Sequence, residues 1–237
     1  MTTNVVTLKI NDRDVTGRGD ETILEIARQN GIAIPTLCHL DGLCDIGACR
    51  LCLVEIKGSN KLLPACVTKL QEGMEILTDT PRLTEYRKMV VQMLFAEGNH
   101  ICSVCVSNGH CELQTMAQTV QIDHVELAYR YPKRKVDASH ELFTADPNLC
   151  ILCMRCVRVC DEIEGAHTWD VMRRGVNAQV ITDMNQPWGT SETCTSCGKC
   201  VQVCPTGALV QKGKAVAEMT KRKEFVPYLV SMRESRK

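Results

Sequence analysis

Sixteen of the 237 residues are cysteine, and fifteen of them fall into four groups with regular spacing. Cys38, Cys49, Cys52 and Cys66 follow C-x10-C-x2-C-x13-C, and Cys102, Cys105 and Cys111 follow C-x2-C-x5-C. Cys150, Cys153, Cys156 and Cys160 follow C-x2-C-x2-C-x3-C, and Cys194, Cys197, Cys200 and Cys204 repeat that spacing. Thiols in such patterns either pair as disulfides or bind metal. The opening stretch "MTTNVVTLKINDRD" has neither the basic nor the apolar region of an export signal, and no run of about 18 apolar residues suggests a membrane span. The sequence is therefore read as a cytoplasmic chain whose thiols stay reduced and hold metal, which also supplies folding energy to small domains. With 28 basic and 28 acidic residues the net charge is zero, so nucleic acid is not expected as a partner.

The first three cysteines of the first group lie in "LCHLDGLCDIGACRLC", where Gly42 and Gly47 let backbone N–H groups approach an anionic cluster. One C-x2-C with long flanking gaps resembles the plant-type [2Fe–2S] arrangement. A structural zinc knuckle usually needs two such pairs. Cys44, in the same loop, is read as a small buried hydrophobe.

The two C-x2-C-x2-C-x3-C runs resemble the bacterial two-cluster ferredoxin motif, in which the fourth cysteine of each run serves the other cluster. The resemblance implies one [4Fe–4S] cluster on Cys150, Cys153, Cys156 and Cys204, and another on Cys194, Cys197, Cys200 and Cys160. Pro205 follows the last cysteine, but Asp161 occupies the matching place in the first run, a change expected to loosen that turn. Arg50, Arg155, Arg158 and Lys199 lie beside these ligands and could offset cluster charge or simply face water. Cys102, Cys105 and Cys111 lack a fourth donor. Imidazole can replace thiolate on a cluster, and His100 and His110 flank the group. His100 is preferred, because His110 would have to fold back past Cys111.

The elements that must position these groups can be read from periodicity. Residues 4–10 and a stretch near Val15 read as strands; "DETILEIARQNG" reads as a helix capped by Asp20, buried through Ile23, Ile26 and Ala27, and ended by Gly31. Strands through Leu53 and Ile56 and at "GMEILT" complete a β-grasp pattern ending near Thr80. A helix then starts with Thr80 as cap and Pro81 as its first residue, with Leu83, Tyr86, Val90 and Leu94 on the buried side and Gly98 as stop. The fold class is α+β: a [2Fe–2S] β-grasp ferredoxin-like domain (1–80), a small helical His/Cys3 [4Fe–4S] domain (81–128), a linker (129–143), a two-[4Fe–4S] ferredoxin-type domain (144–214) and a basic tail (215–237). That tail could dock a partner through Phe225, Tyr228 and Leu229, or be solvated.

In this order the motifs resemble the N-terminal electron-transfer module of the complex I large iron–sulfur subunit, shared by NAD-dependent formate dehydrogenases and [FeFe] hydrogenases. The resemblance covers residues 4 to about 214. In that family the histidine commonly lies four residues before its first cysteine; here that place is Gly98, and His100 is the nearest candidate. Retention of both cubane motifs, in a chain read as ending at Lys237, resembles the small diaphorase subunit of bidirectional NAD(P)-reducing [NiFe] hydrogenases. That resemblance implies an electron-relay subunit of an oxidoreductase, with FMN and NAD(P) on a partner and the hydrogenase small and large subunits as further partners. Its location would be cytoplasmic, or peripheral to a membrane through its complex. No G-x-G-x-x-G after a strand and no P-loop is present, so no catalytic residue is expected in this chain. The rival readings are a formate dehydrogenase or complex I-like subunit, a freestanding ferredoxin carrier, and a zinc scaffold.

Overall fold

A computed structural model describes residues 5–235. They form two compact units, one comprising residues up to His39 with Asp45–Val90, the other Leu40–Cys44 with the chain from Val91 onward.

In the first unit, β1 (Val5–Ile10) alternates strictly, burying Val6, Leu8 and Ile10, and pairs antiparallel with β2 (Arg13–Arg18). Helix α1 (Ile23–Gln29) lays Ile23, Leu24, Ile26 and Ala27 on the sheet. Thr22, not Asp20, caps α1: its hydroxyl accepts from Glu25 N while Glu25 Oε2 accepts from Thr22 N, a reciprocal box. Asp20 pairs instead with Arg18 at 3.3 Å. Gly31 follows the helix with φ +69°. Strands β3 (Leu53–Ile56), β4 (Leu62–Pro64) and β5 (Glu75–Leu77) complete a sheet ordered β2-β1-β5-β3-β4, parallel only between β1 and β5. β4, three residues long and half-buried, gave no alternation to read.

Helix α2 (Pro81–Glu97) begins as its sequence indicates, with Thr80 Oγ1 accepting from Leu83 N at 3.2 Å. Its buried stripe differs from the expected one: Leu83, Arg87, Val91 and Phe95 are buried, Tyr86 is exposed, and Val90 and Leu94 are half-buried. The stripe keeps its i, i+4 spacing but passes through a charged residue. Arg87 is admitted because its guanidinium donates to the carbonyls of Leu51, Leu53 and Thr78 at 3.1, 3.0 and 2.9 Å.

The second unit contains α3 (Glu112–Thr119), the ladder of β6 (Phe143–Ala145) with β9 (Leu209–Gln211), and the ladder of β7 (Trp169–Met172) with β8 (Gln179–Thr182). It also contains α4 (Arg155–Arg158) and α5 (Lys199–Val203). Part of the segment read as a linker is fastened here: Asp137 exchanges two backbone hydrogen bonds with Ala145, both 2.8 Å, and His140 is buried. The tail is a correction. It folds as α6 (Phe225–Glu234), burying Val226 completely and packing Phe225 and Leu229 against its own unit's core; of the three expected anchors only Tyr228 is exposed. Arg233 donates to the carbonyls of Glu162 and Ile163. Among the described residues no helix is long and apolar enough to cross a membrane.

Candidate metal centres

The first unit draws Cys38, Cys49, Cys52 and Cys66 together. Cys52 Sγ lies 3.5 Å from Cys66 Sγ, Leu37 N donates to Cys49 Sγ at 3.4 Å, and Cys49 N donates to Cys38 Sγ at 3.4 Å. Cys38, Cys52 and Cys66 are each 1% exposed. Hydrogen bonds from the Cys49 and Cys66 thiols hold Cys38 low, at about 2, while Cys49 and Cys66 are pushed up as donors to it and by burial. Four crowded sulfurs so titrate as a group, and a core of iron cations would stabilise their thiolate forms together. One neighbour was missed from sequence: His39 is buried, its Nδ1 2.8 Å from Asp45 and its Nε2 2.8 Å from Arg28. Its only sequence signal is its place directly after Cys38.

In the second unit the two repeated runs adopt one backbone. Leu152 and Ser196 have φ +53° and +55°, and Met154 and Gly198 have +61° and +69°, at matching places in each run. Alternating left- and right-handed residues aim successive N–H groups into one concavity, an anion nest. Such angles cost non-glycine residues about 1–2 kcal/mol each, a strain that anion binding can offset. Glycine at 198 has a second reason: a Cβ there would sit 3.0 Å from Phe143 Cζ.

Two cavities sit over these nests. One is lined by Cys150, Cys153, Cys156 and Cys204, the other by Cys160, Cys194, Cys197 and Cys200. Each thus receives three thiols from one run and the fourth from the other. Desolvation pushes Cys150 up to about 11 and Cys153 to about 12, and raises Cys156 and Cys200 strongly. Bare thiols there stay protonated; only a cation-bearing core would make thiolates favourable.

The Asp161 expectation is corrected in detail. Pro205 pushes Cys204 out of the helical region (φ −65°, ψ 121°), ending α5 at Val203. Asp161 imposes no such stop, and the chain continues as a π-helical turn, Val159–Glu164, tied by Asp161 Oδ1 to His167 at 2.6 Å. The turn is rerouted rather than loosened, and Cys160 still faces its cavity. Arg155 and Arg158 are buried: Arg155 pairs with Glu112 at 2.9 Å, and Arg158 donates to the carbonyls of Cys44 and Cys153 at 2.6 and 3.3 Å. Lys199 pairs with Glu164, whereas Arg50 is exposed. Lys221 of the tail reaches in to donate to Cys204 O at 2.7 Å. Cys44 is exposed, not buried, because its backbone is held by Glu162 and Arg158 with the side chain turned outward to solvent.

Cys102, Cys105 and Cys111 lie within electrostatic reach of one another, and burial raises Cys102 and Cys111. His100 and His110 separate cleanly. His110 is exposed. His100 has a buried Nε2 with no hydrogen-bond partner, its ring stands edge-on to Phe95 at 5.6 Å, and burial lowers its pKa to about 4. A neutral imidazole with a buried, unpartnered nitrogen is the donor that a metal would satisfy. Gly98, where the resemblance would place the histidine, instead gives that ring room. The two tryptophans were also missed: both line the second cavity, and Trp188 Nε1 donates to Cys194 Sγ at 3.2 Å.

These features define a multi-centre iron–sulfur protein of ferredoxin type, and comparison with known proteins agrees. Residues 3–81 match a 2Fe-2S iron-sulfur cluster binding domain, residues 87–126 the NADH-ubiquinone oxidoreductase-G iron-sulfur binding region, and residues 141–210 the ferredoxin-like domain of NADH-quinone oxidoreductase subunit 3. The chain is 36% identical over 208 residues to the NADPH-Fe(3+) oxidoreductase subunit alpha of Geobacter sulfurreducens, covering 88% of this chain but 24% of that subunit. It is 30% identical over 208 residues to the NAD-reducing hydrogenase HoxS subunit gamma of Cupriavidus necator, covering 87% of each. A crystal structure of NAD+-reducing [NiFe]-hydrogenase in the H2-reduced state superposes with a TM-score of 0.84 at 30% identity, over 95% of this chain and 96% of that one. The chain belongs to the family of the NAD-reducing hydrogenase HoxS gamma subunit.

Proposed function

We infer that this chain is the electron-relay subunit of the diaphorase module of an NAD(P)-linked bidirectional [NiFe] hydrogenase. The carrying observation is the crosswise sharing of cysteines between two cavities, each completed by the other run's fourth thiol. Likeness to the gamma subunit over 87% of its length supports the assignment to a hydrogenase.

In this reading Cys38, Cys49, Cys52 and Cys66 hold a [2Fe–2S] cluster. His100, Cys102, Cys105 and Cys111 hold one [4Fe–4S] cluster; Cys150, Cys153, Cys156 and Cys204 hold a second; Cys194, Cys197, Cys200 and Cys160 hold a third. The clusters supply one-electron storage and transfer, and the chain supplies position and tuning. Its nests, the buried Arg155 and Arg158 and the half-buried Lys221 stabilise negative charge. FMN and NAD(P) would sit on a partner subunit, and the hydrogenase small and large subunits would exchange single electrons with this one. The chain itself binds no substrate and holds no catalytic residue, and the complex would be cytoplasmic.

Size exclusion of native material tests this. The chain should co-elute with a flavin-containing subunit and a nickel-containing one, and NADH or NADPH should reduce its clusters only in that assembly. A monomer that shuttles electrons freely between unrelated proteins would refute it.

A further inference from the structure

Trp188 is 1% exposed and cannot turn its indole away from the second cavity. Phe143 stacks on it at 5.5 Å and 19°, Trp169 meets it edge-on at 4.8 Å, and His140 lies 4.8 Å off. Its backbone is fastened on both sides: Asp137 Oδ2 accepts from Trp188 N at 2.6 Å, and Ser139 Oγ accepts from Gly189 N at 2.7 Å. A buried indole N–H needs an acceptor. The acceptor here is Cys194 Sγ, at 3.2 Å. A neutral thiol is a weak acceptor, whereas a thiolate accepts a charge-assisted bond. The donor is therefore matched to the metal-bound form of Cys194.

The neighbouring cavity is served differently. There Leu152 N donates to Cys150 Sγ at 3.5 Å, and the Thr206 hydroxyl lies 3.9 Å from Cys204 Sγ.

We propose that Trp188 is a tuning residue for the [4Fe–4S] cluster on Cys160, Cys194, Cys197 and Cys200, holding its reduction potential above the value the same four thiolates would give without the indole. This rests on the reading that these cysteines hold a cluster. Reduction adds one electron and no atom, and part of the added charge falls on the ligand sulfurs. A fixed N–H dipole aimed at Cys194 Sγ stabilises the reduced form more than the oxidised form, and no proton moves. Trp169 lines both cavities, whereas Trp188 lines only this one of the two.

The test uses the native holo-complex, with dithionite as the reductant and EPR-monitored potentiometry as the readout. Trp188→Phe keeps the ring and removes the N–H. One [4Fe–4S] signal should titrate lower, with a roughly three- to tenfold smaller reduced-to-oxidised ratio at the wild-type midpoint, the worth of one hydrogen bond. The other signals and the iron content should stay fixed. Full iron with an unmoved midpoint overturns the proposal. Wild type carrying 15N-indole tryptophan covers the case in which the variant loses its cluster. Pulsed EPR of the reduced protein should then show nitrogen-15 coupling on one [4Fe–4S] signal, and its absence overturns the proposal equally. Should wild type carry only one cubane on the two repeated runs, the ligand assignment fails first and this proposal falls with it.

Discussion

A β-carbon built on Gly98 would lie 2.5 Å from His100 Nε2, closer than any real contact allows. The two residues share one space, and glycine at 98 is what lets the imidazole lie where its nitrogen is buried. Gly98→Ala should therefore displace His100 and expose its site. Iron per chain should fall by about four, with the [2Fe–2S] signal intact. Unchanged iron and an unchanged cubane spectrum would show that the ring's position is irrelevant to metal binding.

Substitution at His100 itself separates the two histidines. His100→Ala should abolish or alter one cubane signal, while His110→Ala should leave every signal as in wild type, since that side chain is exposed. His100→Cys should restore a cluster at lower potential, because an anionic ligand replaces a neutral one. The reverse pattern, loss in His110→Ala only, would move the ligand assignment.

Crosswise ligation makes an unusual pairing of phenotypes. Cys160→Ser and Cys194→Ser should perturb the same [4Fe–4S] signal, although 33 residues lie between them along the chain. Cys204→Ser and Cys150→Ser should perturb the other. If each serine variant instead affects the signal of its own run, the sharing of thiols between cavities has no functional meaning.

Arg87→Leu removes a cation that satisfies three buried carbonyls, among them Leu51 O, one residue before Cys52. Leaving those acceptors without donors should cost roughly 2–4 kcal/mol. Loss of [2Fe–2S] absorbance should then occur at clearly lower denaturant than in wild type. Coincident curves would mean that the guanidinium contributes little to this loop.

How far the sequence carries depends on what each signal depends on. Cysteine spacing is a local constraint, and the same backbone at Leu152, Met154, Ser196 and Gly198 shows how directly a repeated motif fixes a repeated shape. Strict alternation made β1 legible, and Thr80-Pro81 marked the start of α2. The register of α2 was misread because apolarity was the only cue, while burial at Arg87 depends on carbonyls brought in from β3 and its approaches. The tail was misread for the same reason. Its basic composition suggested an outward role, yet Val226 is fully buried and Lys221 and Arg233 find carbonyls on their own unit. Cys44 failed in the opposite direction, a residue type usually buried being turned outward by bonds to its backbone. Nothing local announced the indole of Trp188, since its partner Cys194 becomes an acceptor only once the aromatic cluster fixes the ring.

The central claim is that these thiols and one imidazole carry iron–sulfur clusters, and iron and acid-labile sulfide in anaerobically purified native protein test it most directly. About fourteen iron atoms and a matching sulfide content per chain are expected, with little zinc. A folded, colourless chain that is poor in iron and sulfide, or that carries zinc in their place, would contradict it.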